Sequence, residues 1–132
     1  SKMKKIHETT PFSVSGDEVW AVISNVSRCD WLPTVNHVDL DGDIRSFEME
    51  GMGKIKEQII ELNHETKTLV YSAIETRTPI EHHLATMKVV STGDNACELE
   101  WSTEIEPEIF ADAIKQGMQI SVNGLKSVLA SK

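Results

Sequence analysis

The pattern of hydrophobic and polar positions divides the chain into a short first part, a long β-rich region and one extended helix. Residues 5–14 combine β-branched and aromatic residues and predict a first strand. Capping residues at 15–17 precede apolar residues at helical spacing, so we predict a short helix around Val19, Trp20, Val22 and Ile23. We expect a second short helix over 27–33, closed by Pro33, because the residue before a proline is disfavoured in a helix.

From residue 35 to residue 105, strand-like segments alternate with turn residues, and no helical period is present. Asp41-Gly42-Asp43 between two such segments is a strong hairpin signal, and further turns are predicted at 51–53 and 93–95. Together with the first strand, these segments predict a seven-stranded antiparallel meander, whose later strands cover residues 38–40, 44–50, 55–62, 68–76, 83–91 and 96–105.

The C-terminal part predicts a single long helix that begins near Pro107 and runs for about 24 residues, or ~36 Å. Apolar and small residues recur there at helical spacing, at Phe110, Ala113, Ile114, Gly117, Met118, Ser121, Gly124, Leu125 and Val128. A curved antiparallel sheet wrapped around this helix would bury the apolar faces of both elements. We therefore predict an α+β fold of that arrangement.

Length and composition fit one globular domain. The chain has 132 residues, of which 39% are hydrophobic and 26% charged, enough for one core without disulfide or metal support. We assign residues 3–132 to this domain, and we interpret Ser1 and Lys2, which precede Met3, as a remnant of cloning.

Charge narrows the range of partners. With 13 basic and 21 acidic residues, the net charge of −8 disfavours nucleic acid and anionic membranes. No apolar run approaches the ~20 residues of a membrane span, and no secretory signal is recognisable. We expect a small molecule or a protein as the partner.

The spacing of the cysteines and the absence of common catalytic motifs argue against several classes of enzyme. Cys29 and Cys97 lack the spacing of a zinc site or a disulfide framework, so we expect two free thiols, a cytoplasmic location, and neither metal nor cofactor. The GxSxG, GxGxxG and HExxH motifs and a phosphate-binding loop are all absent from the sequence.

Several segments, in their order along the chain, resemble the START-related SRPBCC superfamily and its helix-grip fold. Within it, the chain is most similar to the branch of polyketide cyclases/dehydrases and abscisic-acid receptors. The similar segments are residues 17–23 (DEVWAVI), 31–33 (WLP), 53–62 (GKIKEQIIEL), 68–71 (TLVY), 96–102 (ACELEWS) and 124–126 (GLK). The resemblance implies a long cavity between sheet and helix that takes a hydrophobic small molecule. Its members include cyclases, lipid carriers, co-chaperones and hormone receptors, so the fold does not select a function.

The hormone receptors' own motifs are only partly present. Residues 81–84 resemble their latch loop, and Glu57 falls where they keep a buried acid. Their gate sequence is replaced by residues 50–53, and their ligand-binding lysine falls near Leu32. Their pocket tyrosine and serine correspond to Met87 and Val89 here. The resemblance therefore implies a ligand other than abscisic acid.

Glu57 is the polar residue of greatest interest. It shares one strand face with Ile55 and Ile59, and a carboxylate in an apolar pocket could act as a general acid or base, or hold a ligand hydroxyl. In the alternative register, residues 56, 58 and 60 face inward and Glu57 is solvated. The alternation around Trp101 favours an inward indole there.

Two other groups have possible roles in the pocket. His82 and His83 are neighbours and would point to opposite faces of a strand, so at most one enters the pocket, and a solvated loop position is the alternative for both. Tyr71 and Ala73 correspond to pocket positions in the related proteins, although Tyr71 could equally be a core residue. The candidates for catalysis are Glu57, Tyr71 and His83.

We first expect the protein to bind a hydrophobic small molecule, such as a lipid, a polyketide or an isoprenoid-like compound. The alternatives are a cyclase/dehydratase-type enzyme using pocket acid and base groups, and a co-chaperone-like module that binds proteins. The expected ligand-contacting residues are Trp31, Ile55, Glu57, Ile59, Tyr71, Ala73, Met87, Val89, Trp101, Ile114, Met118 and Ser121.

Overall fold

The computed structural model describes residues 1–131, which form seven strands and two α-helices. In chain order the elements are β1 (Lys4–Phe12), α1 (Gly16–Ser24), β2 (Val35–Asp41), β3 (Ile44–Met49), β4 (Gly53–Asn63), β5 (Thr68–Glu75), β6 (His82–Gly93), β7 (Ala96–Glu106), a 3₁₀ turn (Glu108–Phe110) and α2 (Ala111–Ala130). No helix among the described residues is long and apolar enough to cross a membrane.

The seven strands form one antiparallel sheet in the order β1-β7-β6-β5-β4-β3-β2. The predicted α+β fold is therefore confirmed, with the long helix at its C-terminal end. We call the face of the sheet that α2 covers the inner face. On β7 the inward side chains alternate strictly with outward ones and are all buried, at Cys97, Leu99, Trp101, Thr103 and Ile105.

The hairpin predicted at residues 41–43 is present. Asp41 pairs with Ile44, so the loop consists of Gly42 and Asp43 alone. Gly42 has φ of +60°, which only glycine adopts readily, and this explains why the hairpin signal is specific.

The second short helix expected over residues 27–33 is absent, and that prediction was wrong. Residues 25–34 instead form successive turns, with hydrogen bonds from Arg28 N to Asn25 O and from Leu32 N to Cys29 O, at 2.9 and 3.0 Å. Each of these bonds joins residues three positions apart, whereas the bonds of an α-helix join residues four positions apart. Pro33 has no amide N–H with which to continue the series, so the turns do not develop into a helix.

The helix predicted after Pro107 is confirmed, although its α-helical part begins at Ala111. Its buried side differs from the predicted one, because Ala113 and Gly117 are exposed. The buried residues are Ala111, Met118, Val122, Leu125 and Leu129. Thr103 and Met118 meet between β7 and α2, where the hydroxyl donates to the Met118 sulfur at 3.6 Å.

Candidate functional site

Three side chains on neighbouring strands of the inner face carry charge or a hydroxyl. Arg45 on β3 pairs directly with Glu57 on β4, and Glu57 pairs with Ala73 on β5. Tyr71 lies opposite Ile59 in the same pair of strands. Directly opposed residues share a face, so the strand registers bring these side chains together on the inner face of the sheet. With His83 and Trp101 they form what we call the inner polar cluster.

Arg45 and Glu57 form a largely buried ion pair. The Arg45 Nε and the Glu57 Oε1 are 2.7 Å apart, and the two side chains are 12% and 13% exposed. The Arg45 Nη1 also donates to the Val26 carbonyl at 3.1 Å, and the guanidinium carbon lies 4.8 Å from the centre of the Tyr71 ring. The arginine thus joins β3 to the segment that follows α1 while it neutralises Glu57.

The Tyr71 hydroxyl is held in its neutral form. Burial raises the pKa of Tyr71 well above its ordinary value, and the nearby Glu57 carboxylate raises it further. The Arg45 guanidinium and the Trp101 N–H oppose these two effects but do not cancel them. Tyr71 is therefore a hydrogen-bonding group at neutral pH and not a base.

His83 lies where β5 and β6 separate. The regular pairing of these strands ends at Tyr71 and Ala85, and beyond this point the His83 Nδ1 accepts the Ala73 N–H at 2.9 Å. Burial lowers the pKa of His83. An uncharged imidazole that accepts through Nδ1 carries its proton on Nε2, so His83 is a neutral donor.

Trp101 contributes an indole N–H that has no partner. The side chain is buried, and among the described residues no group accepts a hydrogen bond from its Nε1. The N–H is near enough to the Tyr71 hydroxyl to favour its ionised form, but not in hydrogen-bonding geometry. The Trp31 ring lies beside it, with ring centres 6.4 Å apart. A buried donor without an acceptor is costly, which makes this atom a candidate ligand contact.

The residues expected to contact a ligand do not all lie together. Glu57, Tyr71 and Trp101 belong to the inner polar cluster, as does the catalytic candidate His83, whereas Val89 packs beside Gly16 near α1. Buried members of the expected set are Trp31, Tyr71, Met87, Val89, Trp101 and Met118. Half-buried members are Ile55, Glu57, Ile59, Ala73, Ile114 and Ser121.

The two neighbouring histidines are divided between the faces of the sheet. His83 is the inward one, and the His82 Nε2 lies 2.9 Å from Glu104 on the outer side. Among the described residues, no group of three or more His, Cys, Asp or Glu side chains is arranged to hold a metal ion.

Sequence analysis missed Arg45, although a signal was present. The hairpin that turns through residues 50–52 pairs Met49 with Gly53, and this register places Arg45 opposite Glu57. Counting back from the predicted turn at 51–53 would have paired Arg45 with Ile59, on the same face as Glu57 and diagonal to it, so a basic residue near the acid could have been expected.

Two open pockets lie mainly outside the space under α2. The first, of about 760 Å³, lies along β2–β5 and is lined by charged side chains such as Asp39, Lys56 and Glu75 together with Phe47 and Ile55. The second, of about 420 Å³, lies where β5 and β6 separate and includes Ala73 and His83.

The inner face itself is packed on one side and more accessible on the other. Along β7 and at Ala85, Met87 and Val89 on β6 its side chains are buried, whereas Phe47, Ile55 and Glu57 on β3 and β4 are only half-buried. A ligand would therefore reach the inner polar cluster from the β3–β4 side.

Comparisons with known proteins agree with this fold. The chain superimposes on the protein XoxI from Bacillus cereus with a TM-score of 0.86 and 22% identity, over 94% of each chain. Norcoclaurine synthase from Thalictrum flavum, in complex with dopamine and hydroxybenzaldehyde, gives a TM-score of 0.77 and 20% identity, over 98% of this chain and 88% of that one. Zhui aromatase/cyclase from Streptomyces sp. R1128 gives 0.79 and 12% identity, over 96% of this chain and 93% of that one.

At these identities the structural likenesses establish the fold alone, and no curated protein matches the sequence. The family model described as polyketide cyclase/dehydrase and lipid transport matches residues 3–130, nearly the whole chain. This coverage, together with the seven-stranded sheet and its C-terminal helix, shows that the chain belongs to the polyketide cyclase/dehydrase and lipid transport family.

Proposed function

We propose that the protein binds a hydrophobic small molecule, of lipid, polyketide or isoprenoid type, against the inner face of the sheet. The observation that carries this proposal is the unpartnered Trp101 N–H on a face that also holds a buried ion pair and whose other side chains are mostly apolar. Small-molecule sites typically have this composition, with many apolar side chains and few polar groups that fix the ligand's orientation.

The energetics of the inner polar cluster support a functional role. A buried ion pair gains little stability over well-packed apolar residues, because both charges must first lose their water. Arg45 and Glu57 lie on strands whose other inward residues, such as Phe47 and Ile55, are apolar. A polar cluster of this kind is better explained by a ligand that uses it than by folding alone.

Native mass spectrometry of the purified protein, followed by denaturing extraction, tests this proposal. We expect a stoichiometric apolar passenger, or stabilisation of the ligand-free protein by members of a panel of hydrophobic compounds. A ligand-free mass with no stabilisation by any compound would overturn the proposal.

The second candidate function is an enzyme of cyclase or dehydratase type. It is favoured by the proximity of a neutral donor, His83, and a carboxylate, Glu57, because proton transfer needs an acid and a base directed at one point. The ion pair with Arg45 opposes this function, since it engages the Glu57 oxygen at 2.7 Å. Replacing Glu57 with Gln should abolish turnover in an enzyme and only shift affinity in a binding protein.

We further propose that the protein binds this ligand in the cytoplasm and does not bind nucleic acid. The net charge of −8 and the two free cysteines, Cys29 and Cys97, support this view. Fractionation of the source cells, followed by detection of the protein in each fraction, would test the location.

A further inference from the structure

The charges of the inner polar cluster are already balanced without a ligand. Arg45 is its one cation, and this guanidinium faces the Glu57 carboxylate, the Val26 carbonyl and the Tyr71 ring. Each of these partners is an acceptor or an electron-rich surface. The positive charge is therefore already paired with the Glu57 carboxylate, and the pair adds no net charge to the cluster.

The other members of the inner polar cluster are uncharged at neutral pH. Burial raises the pKa of Tyr71 and lowers the pKa of His83, so each group stays neutral near pH 7. Trp101 cannot ionise in this range. A ligand that reaches these groups meets dipoles rather than a net charge.

The free hydrogen-bonding capacity of the cluster includes two N–H donors, and the Tyr71 hydroxyl can both donate and accept. The Trp101 N–H has no acceptor, and the neutral His83 has one N–H beyond the nitrogen that accepts from Ala73. Glu57 supplies the carboxylate oxygen that remains outside its 2.7 Å contact with Arg45. A ligand that satisfies the unpartnered donor must bring an acceptor atom.

We propose that the ligand presents an uncharged carbonyl oxygen on an apolar body, that this oxygen accepts the Trp101 N–H, and that carboxylic acids are excluded. This inference rests on the proposed function and specifies its ligand class. A carboxylate in the same place would lie near the Glu57 carboxylate and would lose its water without gaining a free cation. A pure hydrocarbon would leave the Trp101 N–H without an acceptor.

Three naphthalenes with the same ring system test this inference. The β-acetyl compound carries a neutral carbonyl, the β-isopropyl compound has the same shape without oxygen, and β-naphthoate is an anion at neutral pH. We expect titration calorimetry to give the ketone roughly tenfold tighter binding than the hydrocarbon, since it satisfies a buried donor. We expect no measurable binding of the naphthoate.

Trp101→Phe provides the matched variant, because it keeps an aromatic ring and removes the N–H. The dissociation constants of the ketone and the hydrocarbon should then differ by no more than about twofold, because the variant cannot donate the hydrogen bond. The control is Trp20→Phe, which removes an indole bonded instead to the His64 Nδ1 at 3.0 Å and should preserve the preference for the ketone. If Trp101→Phe does not fold, the infrared spectrum of the ketone bound to the unmodified protein gives a second readout. The carbonyl stretching frequency should then be lower than that of the same ketone in hexane.

The outcomes separate this inference from the proposed function. Equal binding of ketone and hydrocarbon, or preferred binding of the naphthoate, leaves a hydrophobic binding protein and overturns the carbonyl assignment. An unshifted carbonyl stretch would overturn the assignment as well. Absence of binding by all three compounds, together with no passenger in the native mass spectrum, would overturn both.

Discussion

Arg45 is the residue on which the inner polar cluster most depends. Its guanidinium contacts Glu57 on β4, the Val26 carbonyl after α1 and the Tyr71 ring on β5. Because both charged side chains are nearly buried, neither can recover its lost hydration from the solvent when the other is removed. The pair therefore determines both the charge and the stability of the site.

Replacing Arg45 with Met should destabilise the fold by about 3 kcal/mol, because Glu57 would remain buried without a partner. Urea unfolding measures this loss. The double variant Arg45→Met/Glu57→Leu should recover most of the stability, since no buried charge is left. The matched control is Lys56→Met, which removes an exposed pair with Glu75 at 4.0 Å and should change stability by no more than about 0.5 kcal/mol. Equal losses for Arg45 and Lys56 would contradict this interpretation.

His83 should make stability depend on pH in the mildly acidic range. Burial lowers the pKa of His83 in the folded protein below the 6.5 of an exposed histidine, so below pH 6.5 the unfolded chain binds the proton first. The contribution of His83 to the free energy of unfolding should thus be complete above pH 6.5. Below this pH the free energy of unfolding should decrease by at most about 1.4 kcal/mol per pH unit, until His83 is also protonated in the folded protein.

Urea unfolding at several pH values above 5 tests the effect of His83. His83→Gln retains an oxygen that can accept the Ala73 N–H but does not titrate, so it should flatten the profile. His82→Gln, on the outer side of the sheet, is the control and should leave the His83 contribution in place. An unchanged slope in His83→Gln would show that other groups cause the dependence.

At the level of elements, the prediction succeeded where local chemistry decides the structure. The Asp-Gly hairpin and the regular alternation on β7 need only neighbouring residues, and both are present. The prediction of a second short helix failed because the few residues before Pro33 are as compatible with turns as with a helix. The buried side of α2 could not be predicted in detail, since it depends on what the helix packs against.

The two glycines of α2 should respond oppositely to substitution. A Cβ at Gly124 would lie 2.1 Å from the Trp31 carbonyl oxygen, so Gly124→Ala must push the 25–34 segment away from the helix. At Gly117 no atom lies within 4 Å of that position, and Gly117→Ala should gain up to about 1 kcal/mol from helix propensity. Thermal unfolding should show a lower Tm for the first variant and a higher one for the second. The reverse order would contradict the packing of the segment against α2.

For the whole molecule, the sequence was sufficient for the fold and insufficient for the site. The order of seven strands and a long helix follows from periodicity and turns, which are local properties. The inner polar cluster combines Arg45, Glu57, Tyr71, His83 and Trp101 from β3 to β7, so it depends on the register of five strands. Glu57 could be singled out from its own strand, whereas Arg45 becomes significant only when paired with it.

The indole N–H signals in a nitrogen–proton correlation NMR spectrum test the central claim most directly. The three tryptophans give three such signals, and only the Trp101 donor is buried without a partner. On addition of β-acetylnaphthalene, the Trp101 signal should move downfield as it gains an acceptor, while that of Trp20, already bonded to His64, should stay in place. A stationary Trp101 signal, with movement confined to the amides of Lys54, Lys56 and Glu75 around the pocket along β2–β5, would place binding away from Trp101 and contradict the claim.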